Sequence, residues 1–105
     1  MEKPNLSYIN EIAGDDEAFR AKLIGVIKNE LPGEIAEYKQ SVTVPDYAQA
    51  ANHVHKLKHK ISVMGMEKSY YLAEDFEKNL KQGNTEKIAE FELVLAAMQD
   101  FAASL

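Results

Sequence analysis

Apolar residues recur at steps of three and four along nearly the whole chain, and no stretch alternates β-branched residues between hairpin turns. The pattern therefore predicts helices and no sheet. A short first segment, Leu6 to Ile12, ends at Gly14, and Asp15 or Asp16 is placed to cap the next helix, with Glu17 adding charge that suits its positive end. Phe19, Leu23, Val26, Ile27, Leu31, Ile35, Tyr38 and Val42 then keep one register across Pro32 and Gly33. That register favours a single kinked helix. Two helices split at Pro32 are the alternative, because proline removes a backbone hydrogen bond and crowds the preceding turn.

Thr43 and Asp46, spaced by three around Val44-Pro45, resemble a capping pair, and Asp46 opens a helix that runs to about Met64 with Tyr47, Ala50, Val54, Leu57, Ile61 and Met64 on its apolar stripe. Gly65 offers a permissive C-terminal position. The next helix starts near Glu67 and presents Tyr70, Ala73, Phe76 and Leu80 before Gly83-Asn84; the last starts at Thr85 and presents Ile88, Phe91, Leu95, Met98, Phe101, Ala102 and Leu105. Tyr70, Tyr71, Met64, Met66 and Met98 fall at helical spacing and are read as packing residues. Four long amphipathic segments with short turns predict an all-α, up-and-down antiparallel four-helix bundle, the short first helix lying over it, with residues 1–105 as one domain.

The size agrees: 105 residues with 46% hydrophobic and 28% charged side chains suit one core. The absence of cysteine removes disulfides, thiolate metal sites and cysteine nucleophiles. No apolar run reaches membrane-spanning length and the start, Met-Glu-Lys-Pro-Asn-Leu, lacks a secretory core, so the expectation is a cytoplasmic protein without a membrane partner. Seventeen acidic residues against twelve basic give a net charge of −5, which argues against nucleic acid as a partner. The charge is uneven, however. Between Asn52 and Lys68 four lysines face one acid, a local +3 in an otherwise acidic chain.

That basic stretch contains all three histidines, His53, His55 and His59. At roughly 100° per residue, with the stripe centred near Val54, Leu57 and Ile61, His55 lies roughly 130° from the core direction, on the solvent side. Ala48, Ala51, Asn52, Lys58, His59 and Ser62 share its face. A neutral imidazole is a nucleophile and dominates at neutral pH, so an accessible histidine beside lysines suits phosphoryl chemistry, with the distal ring nitrogen attacking and Lys58 steadying the anionic product. No glycine-rich phosphate loop precedes a helix, so any phosphoryl donor has to be another protein.

His55-Lys56-Leu57-Lys58, continuing through Ser62-Val63-Met64 to Gly65, resembles the motif of histidine-containing phosphotransfer domains: acceptor histidine, hydrophobic residue two on, lysine three on, glycine ten on. Ala50-Ala51 upstream, and Phe76-Glu77-Lys78-Asn79-Leu80 before Gly83-Asn84, are similar to the family's surroundings, and the likeness spans about residues 6–105. The resemblance implies His55 as phosphoacceptor, Lys58 as the phosphate-stabilising residue, and a docking face of Ala51, Asn52, His59, Ser62 and Gly65. It implies receiver domains of response regulators or hybrid kinases as partners, no cofactor on this chain, and magnesium held by the receiver. One position departs from the pattern. The family usually has glycine after the lysine, whereas this chain has His59, which either crowds a docking partner or donates to the phosphoryl group.

Two other readings stand beside this one. His55 and His59 have the spacing of a helical metal pair, but Lys56 sits where a zincin has glutamate, thiols are absent and lysines disfavour a cation. His53 points to the other flank of the stripe and reads as a boundary residue. The functional alternative is a helical adapter whose face binds a partner without phosphoryl transfer.

Overall fold

The computed structural model describes residues 2–105. Its elements are five helices, with no strand among the described residues: α1 (Ser7–Ala13), α2 (Glu17–Thr43), α3 (Tyr47–Val63), α4 (Glu67–Lys81) and α5 (Ile88–Ala103). Local chemistry explains the starts. Asp16 accepts from the Phe19 amide at 2.9 Å and Asp46 from the Gln49 amide at 3.1 Å, each satisfying a donor that the first turn leaves without a helical partner. Thr43 is not a cap of α3: its hydroxyl donates back to the Lys39 carbonyl at 2.9 Å, inside the last turn of α2. The last helix also begins three residues later than its pattern suggests. The Asn84 side chain accepts from the Glu86 amide at 2.9 Å and holds Thr85 to Lys87 in a turn ahead of Ile88.

At 27 residues, α2 runs unbroken through Pro32, whose ring faces solvent. A helix of that length spans about 40 Å, which accounts for most of the 45 Å long axis of the molecule. Its partners are shorter, and its inner face differs from the pattern. Phe19 and Val26, predicted in the stripe, are exposed: Phe19 lies in the part of α2 ahead of the stretch that buries Ile27, Leu31, Ile35 and Tyr38, and Val26 lies about 100° around the helix from buried Ile27. α1 packs against the same helix through buried Ile9 and Ala13.

The centre of the core is aromatic. Tyr38 of α2 meets Phe91 of α5 and Phe76 of α4 edge-on, with centroids 5.3 and 6.3 Å away, while Phe76 and Phe91 are 5.1 Å apart. Around them α3 contributes Ala50, Val54, Leu57 and Ile61, and its turn into α4 buries Met64 and Met66. Tyr71 does not pack: it is exposed, whereas its neighbour Tyr70 is half-buried.

Polar pairs give the directions of the helices. Glu37 lies opposite His53, and Glu30 and Glu34 opposite Lys60, so α2 and α3 run in opposite senses. Lys58 over Tyr70 and His55 beside Glu77 establish the same for α3 and α4. No described helix is long and apolar enough to cross a membrane.

Candidate functional site

The site forms where the outer edge of α3 meets α4. His55 stands on α3 with about half of its side chain exposed, and its Nδ1 lies 3.2 Å from Glu77 Oε1 on α4. Glu77 is itself only 13% exposed. Burial pushes its carboxyl pKa up, but hydrogen bonds from His55 and Lys58 outweigh this and hold it below the ordinary value. An ionised carboxylate can only accept, so Nδ1 is the nitrogen that carries the proton and donates. In the neutral ring this leaves the lone pair on Nε2. One contact thereby selects the tautomer and anchors the ring.

Lys58 is not on the open face. Its side chain is 11% exposed, with Nζ 3.3 Å from the same Glu77 oxygen and 5.6 Å above the Tyr70 ring. Ala51, expected at a docking surface, is buried. The burial of both has one cause: Ala51 and Lys58 are seven residues apart and therefore lie on one line of α3, which is the line that α4 covers. Lys81, one turn beyond Glu77, places its Nζ 3.5 Å from the other carboxylate oxygen.

The remaining predicted positions divide by exposure. Asn52, His59 and Ser62 are exposed, with Asn52 donating its amide to Gln49 Oε1 at 3.1 Å. The His59 ring stands edge to face with that of His55, centroids 5.2 Å apart and planes at 90°. Gly65 is half-buried, at φ +75°, and a Cβ there would overlap the Asn5 side-chain amide. It also lines a groove of about 380 Å³ with Tyr8, Ser62, Tyr70 and Tyr71.

His53 sits apart, half-buried on the flank facing α2, with Nδ1 3.7 Å from Glu37 Oε2. Among the described residues, no three His, Asp or Glu side chains gather in a metal-binding group.

Glu77 is the residue that the sequence pattern does not single out. A signal was present, however: α3 and α4 fold back around Gly65, which brings a residue ten before that glycine level with one about eleven or twelve after it. Glu77 is the acid at that level, next to core-facing Phe76.

Comparison of the chain with family models, with curated proteins and with solved structures returns no match.

Proposed function

We propose that this chain is a phosphocarrier of the histidine-containing phosphotransfer type, with α2 to α5 as its up-and-down four-helix bundle and α1 as the additional N-terminal helix. The observation that carries the reading is the exposed His55 ring anchored through Nδ1 by Glu77, which leaves Nε2 as an available nucleophile.

In this reading Nε2 attacks the phosphorus of a receiver's aspartyl phosphate. The nitrogen–phosphorus bond forms as the acyl-phosphate oxygen–phosphorus bond breaks, and the aspartate carboxylate leaves. Because Nδ1 keeps its proton, the ring becomes cationic as Nε2 gives up its lone pair, and the Glu77 carboxylate at 3.2 Å offsets that charge where it develops. Attack by a second receiver's aspartate reverses the bond changes. Magnesium belongs to the receiver, and this chain contributes nucleophile, orienting carboxylate and docking face. Lys58 acts through Glu77 in this scheme, holding the carboxylate in place instead of reaching the phosphate. Exposed Tyr8, Ile12 and Tyr71 supply apolar area for a protein partner.

The test is incubation with phosphorylated receiver domains. Acid-labile label is expected on the wild type and on His53→Gln but not on His55→Gln, with all three equally helical. Label that persists without His55 would overturn the acceptor assignment. Binding of a partner by both wild type and His55→Gln, without label on either, would favour the adapter reading.

A further inference from the structure

A phosphoryl group on Nε2 of His55 projects negative oxygens toward solvent, and its persistence depends on the donors that reach them. Lys58, which sequence spacing nominates, already has its charge matched: Nζ is 3.3 Å from Glu77 and lies over the Tyr70 ring, with the side chain nearly covered. Drawing it out would strip a half-buried carboxylate of a partner it needs. His59 is differently placed. It is exposed, one helical turn beyond His55, and the two rings are already in contact at 5.2 Å between centroids. Among the described residues, no carboxylate lies within ion-pair distance of it.

We infer that His59 is a phosphoryl-binding residue, donating a ring N–H to an oxygen of the phosphoryl group carried on Nε2 of His55. The inference rests on the phosphocarrier reading and assigns the phosphate-holding role to His59 in place of Lys58. A neutral imidazole has one N–H to give, and the His59 ring, in edge-to-face contact with that of His55, is exposed one turn along the same helix. Loss of the group by hydrolysis breaks the nitrogen–phosphorus bond, forms a water-derived oxygen–phosphorus bond and returns the lone pair to Nε2. A donor that holds the phosphoryl oxygens slows this by retaining the group and occupying one side of it.

The experiment phosphorylates the full chain with phosphoramidate. Nε2 bonds to phosphorus, the reagent's nitrogen–phosphorus bond breaks and ammonia leaves, so no receiver is needed. After removal of reagent, decay of phosphorylated His55 is followed by phosphorus NMR, with the site mapped by mass spectrometry, in wild type, His59→Ala and His59→Gln. Circular dichroism confirms equal helicity, since His59 is exposed. The expected result is a half-life at least threefold shorter in His59→Ala, of which His59→Gln, whose amide retains a donor, restores at least half. Equal half-lives in wild type and His59→Ala overturn the inference, as does a loss that glutamine leaves unrestored. Failure of both phosphoramidate and phosphorylated receivers to label His55 overturns both the inference and the carrier reading. Labelling by phosphoramidate but by no receiver overturns the carrier reading alone.

Discussion

At the scale of single residues, Glu77 joins stability to chemistry. Its carboxylate takes Nδ1–H of His55 and Nζ of Lys58 on one oxygen and lies near Lys81 on the other. Replacement by glutamine keeps an acceptor for His55 but leaves the covered Lys58 ammonium without a counter-charge. We expect Glu77→Gln to lose about 1–3 kcal/mol of unfolding free energy, read by urea denaturation. Glu77→Ala, which also frees the His55 ring, should in addition slow single-turnover phosphoryl transfer by about tenfold or more. The pH dependence has a definite sign. Because the folded pKa lies below the ordinary value of 4.5, the carboxylate contributes stability that is present above that value and lost as pH falls through the lowered one. Acid titration of stability in Glu77→Gln should therefore be flatter below about pH 4.5 than in wild type; parallel curves would deny the contribution.

At the scale of elements, the turn between α3 and α4 sets the alignment on which the His55–Glu77 contact depends, and the N-terminal arm clasps it. The Asn5 amide donates to the Met64 carbonyl at 2.9 Å, and the Glu2 carboxylate accepts from the Lys68 and Ser69 amides at 3.0 and 2.8 Å. Gly65 and Gly83 both sit at φ +75°, but only Gly65 has a neighbour against its missing Cβ. The pair is its own control. Gly83→Ala should cost about 1–2 kcal/mol for the left-handed backbone alone, and Gly65→Ala more than that; in an Asn5→Ala background the Gly65→Ala cost should fall toward that of Gly83→Ala. Proline at 32 acts in the opposite direction. It deprives an exposed stretch of α2 of one hydrogen bond, so Pro32→Ala should raise stability by about 1–3 kcal/mol in thermal or urea unfolding. Helix identity was legible in the sequence because three-and-four spacing reports directly on which side faces the core. What it lacks is the neighbour. Lys58 and Ala51 lie on the edge of the stripe, where whether a residue is exposed depends on α4, and Phe19 lies on a stretch of α2 ahead of its buried part, while Val26 gives way to Ile27 one residue on. His55, well off the stripe, was placed by periodicity alone; its partner Glu77 needed the hairpin.

At the scale of the whole molecule, the triangle of Tyr38, Phe76 and Phe91 holds α2, α4 and α5 together, and it contains one polar atom that the packing does not use. Among the described residues, the buried Tyr38 hydroxyl has no side-chain or backbone hydrogen-bond partner. Burial, assisted by the negative charge of Glu92, pushes its pKa well above the ordinary value of 10.0. An acid whose folded pKa is raised contributes stability that is fully present below its unfolded value and is lost as pH rises beyond it, so the alkaline side of the stability curve should carry a Tyr38 component starting near pH 10. Phenylalanine at this position keeps the ring and its edge-on contacts while removing both the unpaired hydroxyl and the titration. Because no partner is stranded by the change, Tyr38→Phe should be neutral or stabilising, by up to about 1.5 kcal/mol at pH 7, where an ordinary hydrogen-bonded tyrosine would lose a similar amount. The advantage should widen above about pH 10. Chemical denaturation of both proteins at pH 7 and at pH 10.5 decides it: a loss of stability in Tyr38→Phe at pH 7 would mean that the hydroxyl has a partner, such as a buried water, that ties the three helices through more than their apolar faces.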